Sequence, residues 1–196
     1  MKKLLAMLSI TLLILAGCGS GGNFEAQTNW KVEDFNYKNQ RGEAVSLDDL
    51  KGTVWLASFI YTNCTTECPL MTFNMSDIQK ELVDKGIEDY EIVSFTADPE
   101  YDTPEVLKEY ISNYEVPDES KWNLLTGYSQ EDIKKFAADN FKTAAIKNPN
   151  TNEVMHGISF FLVDQNGVVV KNYDGYQDVP KEEIVMDVEA LIADGK

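Results

Sequence analysis

Basic side chains are scarce in this sequence of 196 residues. It has 17 Lys+Arg against 33 Asp+Glu, for a formal net charge of −16. A nucleic-acid backbone is held by clustered Lys and Arg, so this deficit excludes nucleic acid as a partner. Arg41 is the single arginine and His156 the single histidine. One histidine excludes any metal site built from several imidazoles, and any imidazole chemistry falls on His156. Cysteine is also scarce: Cys18, Cys64 and Cys68 are an odd number, so one of them has work outside an internal disulfide. What is present suits one globular domain. Hydrophobic residues make up 43% and aromatics 11%, enough to fill a core and to exclude a disordered chain.

The longest apolar run near the start, Leu4 to Ala16, is too short for a membrane helix, which needs about 20 residues. Lys2 and Lys3 precede it, so it reads as an export signal. It ends in Leu15-Ala16-Gly17-Cys18, which resembles a bacterial lipobox. That implies a signal peptide over 1–17, cleavage before Cys18 and lipid on the Cys18 sulfur. Residues 18–28 read as the lipidated cysteine and a flexible tether, with an average reach of about 17 Å. Residues 29–196 are then the working domain. Loss of Lys2 and Lys3 makes the mature body still more acidic, so anionic headgroups repel it and the lipid must hold it. The expected location is the extracytoplasmic face of the cell membrane, where a thiol pair can oxidise.

The domain reads as alternating strands and helices. Val32–Tyr37 and Glu43–Leu47, joined by a turn at 39–42, read as an N-terminal β-hairpin. Ser46 to Gly52 reads as a short helical turn. Thr53–Tyr61 (TVWLASFIY) and Glu91–Ala97 are continuous apolar runs, hence buried strands. Between them a helix starts near the cysteines and stops at Gly86. Thr103-Pro104-Glu105 opens a helix with a cap, a proline and an acid in order. Asn123–Leu125 reads as a short strand, and Ser129 caps a further helix. Gly157–Val163 and Val168–Tyr173 flank the turn Gln165-Asn166-Gly167 as a hairpin, and Pro180 opens a last amphipathic helix. This order predicts an α/β sandwich, a sheet with helices on both faces.

Cys64 and Cys68 directly follow the first buried strand, where α/β sheets place their reactive groups. Residues i and i+4 share a helix face, with Cα atoms about 6 Å apart, so the pair can be a dithiol, a disulfide or a chelate. A helix N-terminus favours thiolate there, while Glu67 opposes it. A bound cation would relieve that conflict. Two thiolates leave one net negative charge with Cu(I) and none with Cu(II). Soft sulfur suits copper, and Zn(II) also takes Cys₂His sets.

The run Phe59-Ile60-Tyr61-Thr62-Asn63-Cys64 through Cys68-Pro69 resembles the copper-site motif of the Sco family, named for synthesis of cytochrome c oxidase. Asp98-Pro99-Glu100-Tyr101-Asp102-Thr103-Pro104 is similar to its D-P-x-x-D-T-P segment, and His156 falls where that family has its third ligand. The resemblance implies a thioredoxin-like fold, a central mixed sheet flanked by helices, with the N-terminal hairpin as an addition. It implies copper, as Cu(I) or Cu(II), held by Cys64, Cys68 and His156. It implies a role in assembling the dinuclear copper centre of cytochrome c oxidase subunit II, by delivering copper or by preparing the target thiols. A thiol–disulfide reductant is then a further partner. Gly157 departs from the pattern, since many members carry Ser or Thr there to orient the imidazole.

Other residues read more plainly. Asp98 ends a buried strand beside the cysteine-bearing one and can act as an acceptor behind the ligands or as a brake on thiolate formation. Met71, Met75 and Trp55 read as core. The acid-rich segment 98–119 reads as a solvated face. A thiol–disulfide oxidoreductase with Cys64 and Cys68 as its redox pair is the alternative function. A peroxidase of the same fold class lacks the proline expected at Tyr61 and has Arg41 as its sole arginine.

Overall fold

The structure, a computed structural model, describes residues 24–151 and 153–195. The predicted export signal and the lipid-bearing Cys18 lie outside the described residues. In chain order the elements are β1 (Trp30–Lys31), β2 (Asn36–Lys38), β3 (Ala44–Ser46), α1 (Leu47–Leu50), β4 (Val54–Ile60), α2 (Glu67–Asp84), β5 (Tyr90–Thr96) and α3 (Pro104–Ile111). A 3₁₀ turn at Glu119–Lys121 leads into β6 (Trp122–Leu125) and α4 (Gln130–Phe141). The chain ends with β7 (Ala145–Lys147), β8 (Val154–His156), β9 (Ser159–Val163), β10 (Val168–Asp174) and α5 (Lys181–Asp194).

Strand β4 explains the architecture. All seven of its residues are buried, because both faces of the sheet are covered. Alternate side chains divide between two cores. Val54, Leu56 and Ile60 pack with α2, α3 and α5. Trp55, Ala57 and Phe59 pack with Leu47 and Leu50 of α1 and Ile133, Phe136 and Ala137 of α4. The sheet runs β1-β10-β9-β4-β5-β6. Strand β4 is parallel to β5, which is parallel to β6, while β9 is antiparallel to β4. This is the α/β arrangement with helices on both faces that the residue pattern predicts, and the mixed central sheet that the family resemblance implies. Met71, Met75 and Trp55 are core residues.

Three expectations need adjustment. The N-terminal hairpin is narrower than predicted, with β2 pairing β3 only from Asn36 onward. Trp30 and Lys31 instead extend the edge of the main sheet beside β10, and the Val32 amide is taken by the Gly167 carbonyl. Cys64 stands before α2 rather than on it, since the helix begins after Thr66. A second small hairpin, β7 with β8, occupies a stretch that the sequence reading leaves as loop. Its strands have three residues each, too short for a period to be read.

Candidate metal centre

Strand β4 ends at Ile60 and delivers Tyr61-Thr62-Asn63-Cys64 to the carboxyl edge of the sheet. Buried Asp102 holds this loop. Its carboxylate accepts from the Thr62 amide at 3.1 Å and the Thr62 hydroxyl at 2.5 Å, and also from the Thr96 hydroxyl at the end of β5. Burial raises the Asp102 carboxyl above the usual carboxylate range, against the lowering effect of the two threonine hydroxyls.

The first turn of α2 is then built around sulfur. Thr66, at the helix cap, makes no side-chain capping bond. The Cys64 Sγ instead accepts from the Cys68 amide at 3.4 Å, doing a cap's work for one unpaired donor. The Cys68 Sγ accepts from the Tyr61 amide at 3.4 Å. The Cys68 carbonyl is held from behind by Thr72 Oγ1 at 2.9 Å and by the Tyr110 hydroxyl at 3.3 Å. Both cysteines are reduced and buried.

His156 closes the site from β8. Its Nδ1 lies 2.9 Å from the Gly157 carbonyl, which can only accept, so that nitrogen carries the proton. Its Nε2 lies 3.0 Å from the Cys68 Sγ. The Tyr61 ring stands edge-on to the imidazole, with centroids 5.5 Å apart. The backbone carbonyl of Gly157 thus orients the imidazole where a side-chain hydroxyl is missing. A Cβ on Gly157 would collide with Thr143 Oγ1 and stand 3.2 Å from Thr143 Cβ, so Thr143 fills the space of a side chain at 157.

The ligand atoms of Cys64, Cys68 and His156 all lie within 4.8 Å of one another. Donors around one ion, with bonds of about 2.0 to 2.3 Å, sit up to about 4.6 Å apart, so little contraction gathers them. The two thiols differ. Hydrogen bonding from the Cys68 thiol, followed by that from His156, holds Cys64 well below the ordinary thiol range, against burial. Burial pushes the Cys68 thiol up, and the neighbouring Cys64 sulfur adds to this. The Glu67 carboxylate faces the site, with Oε2 3.9 Å from the Cys64 Sγ, and accepts a bond from the Thr66 hydroxyl.

The Asp98 carboxylate does not point at the sulfurs. It pairs with Lys147 Nζ of β7 at 2.7 Å. The D-P-x-x-D-T-P segment therefore reaches the cysteine loop through Asp102, which the sequence reading passes over. The motif's second aspartate was the available signal. Tyr110 and Lys147 carry no such signal, because their partners are remote in sequence. Met155 is exposed.

The SCO1/SenC family model matches residues 24–193. A SCO1/SenC family lipoprotein from Bacillus anthracis str. Ames is similar at 45% identity and a TM-score of 0.80, over 85% of this chain and 98% of that one. BsSco, a member of the Sco family of cytochrome c oxidase assembly proteins in which a disulfide switch was identified, is similar at 44% identity and a TM-score of 0.80, over 88% of this chain and 99% of that one. Copper-bound ScoI from Bradyrhizobium japonicum is similar at 26% identity and a TM-score of 0.68, over 82% of this chain and 99% of that one.

Proposed function

The chain belongs to the SCO1/SenC family, and from that premise we propose that it is a copper-binding protein of cytochrome c oxidase assembly. Cys64, Cys68 and His156 hold the copper, which is cargo rather than a resident cofactor. The observation that carries this reading is the convergence of two free cysteine sulfurs and an imidazole nitrogen within 4.8 Å. The soft sulfurs favour Cu(I). The target is the dinuclear copper centre of the oxidase's subunit II. The protein works from the extracytoplasmic face of the membrane, held there by lipid on Cys18. The similar Bacillus anthracis protein is itself a lipoprotein, which supports the anchor. Among the described residues no helix is long and apolar enough to cross a membrane.

Copper titration of the purified, reduced protein under anaerobic conditions tests the assignment. One copper is expected per chain. Replacement of Cys64 or Cys68 by Ala, or of His156 by Ala, is expected to lower the affinity by about a hundredfold or more, beyond the loss typical of supporting residues. A His156→Ala protein that binds as tightly as wild type overturns the ligand set.

The unequal thiols favour a second activity of the same pair. The Cys64 thiolate can attack a partner disulfide, releasing one partner thiol and forming a mixed disulfide. Cys68 then displaces the second partner thiol and leaves as the Cys64–Cys68 disulfide. The partner gains two electrons, and a thiol–disulfide reductant restores the pair. A Cys68→Ser protein should trap the mixed disulfide with oxidised subunit II. Failure to trap it excludes this activity for that target.

A further inference from the structure

His156 does not stand on the main sheet. It ends β8, half of a two-stranded hairpin whose register pairs Ala145 with His156 and Lys147 with Val154. The hairpin packs on α4 and is tied at its base by the Gly157 amide to the Ala144 carbonyl at 3.2 Å and by Gln130 Nε2 to the Ala145 carbonyl at 3.4 Å. These neutral ties lie at the α4 end. On the cysteine side a neutral contact joins the Val154 backbone of the hairpin to the Tyr61 hydroxyl, which leaves room for a second point of attachment.

Lys147 supplies that second point. Its ammonium reaches from β7 to the loop after β5, to Asp98 at 2.7 Å and to Glu100 at 3.1 Å. Among the described residues these are the hairpin's charged ties to the body. The pair is not an ordinary surface bridge, because the Asp98 side chain is 6% exposed and that of Lys147 23%. A buried carboxylate that loses its cation is left uncompensated, so the geometry that keeps the pair closed is strongly preferred. The loop that carries Asp98 also carries Asp102, which holds Thr62 in the cysteine loop. One short segment therefore pins the cysteines through Asp102 and the histidine hairpin through Asp98.

We propose that Lys147 is a positioning residue for His156, a latch whose bond to Asp98 holds the imidazole against the cysteine pair. The proposal rests on the copper reading above for its consequence, since an open latch weakens the third ligand without touching it. The latch itself is independent of copper.

The test uses the untagged protein, in which His156 is the single histidine. Carbethoxylation by diethyl pyrocarbonate, located by mass spectrometry, then reports His156 alone. In the reduced, copper-free state Lys147→Gln should react several-fold faster at His156 than wild type, and Lys147→Arg should match wild type. In copper titrations Lys147→Gln should lose about tenfold in affinity, as expected of a residue that orients a ligand. It should lose nothing further in a His156→Ala background, and it should weaken the nitrogen hyperfine coupling of the Cu(II) form. Unchanged His156 reactivity with unchanged affinity overturns the latch. So does an equal loss of affinity with and without His156, which places the effect elsewhere. Faster carbethoxylation in a protein whose wild type binds no copper would keep the latch and remove the copper reading.

Discussion

Cys64 and Cys68 carry the same thiol in two settings, and the difference is local. Cys64 is placed before the helix, where its sulfur accepts the Cys68 amide, and hydrogen bonds from Cys68 and His156 favour its thiolate. Cys68 is fully enclosed, and burial favours its protonated form. Alkylation should therefore be sequential. Cys64 should react first with iodoacetamide and should keep its rate as pH falls below the ordinary thiol range, because a lowered pKa retains thiolate there. Cys68 should need alkaline pH or unfolding. Mass spectrometry of a pH series checks both; equal labelling of the two sulfurs at neutral pH would contradict the asymmetry. Asp102 gives a second test at this scale. Its Ala variant leaves the Thr62 amide without an acceptor, a loss of about 1–3 kcal/mol for a buried donor. Burial raises the Asp102 carboxyl, so the stability it contributes is fullest below the usual carboxylate range and is lost as pH rises through the raised value. The melting difference between wild type and Asp102→Asn should accordingly shrink as pH rises through the raised value of the carboxyl.

Among the elements, those with a long or strongly marked pattern were legible in the sequence, and those fixed by contact were not. Strand β4 reads directly because seven consecutive buried residues leave no polar face to confuse. Thr103-Pro104 and Ser129 start α3 and α4 where their capping chemistry says, and Ser129 forms the reciprocal bond with Asp132. The β7–β8 hairpin is different. It exists because Ala145 packs into the core, Val154 follows it, and Lys147 finds Asp98, and none of these is written in local periodicity. The site shows the same division. Cys64, Cys68 and His156 are visible as motif residues, whereas Tyr110 and Lys147 act over 42 and 49 residues of sequence and emerge only from packing. Gly157 is a case where sequence raised the question and structure answered it. Its side-chain space belongs to Thr143. Gly157→Ala should destabilise the protein by about 1–3 kcal/mol through overpacking. A Thr143→Ala/Gly157→Ala double variant should recover much of the loss in thermal melts. Equal stability of Gly157→Ala and wild type would show that the contact is slack.

At the scale of the whole molecule, the scarcity of basic charge has two separate consequences. The lone arginine is used in structure, since Arg41 bonds Glu43 at 2.8 Å and Asn123 at 2.7 Å, tying the β2–β3 turn to β6. The remaining body is too acidic to bind anionic lipid by charge. Membrane attachment should therefore depend on Cys18 alone. A Cys18→Ser protein expressed in a bacterium should lose its membrane fractionation even at low salt. The sheet, meanwhile, brings the cysteine loop and the histidine hairpin to one edge, from positions 88 residues apart at their nearest contact. Copper K-edge X-ray absorption of the loaded, reduced protein tests that convergence. Two sulfur scatterers and one nitrogen scatterer per copper are expected, with the nitrogen shell lost in His156→Ala. A wild-type spectrum with sulfur alone, or a nitrogen shell that survives His156→Ala, would contradict it.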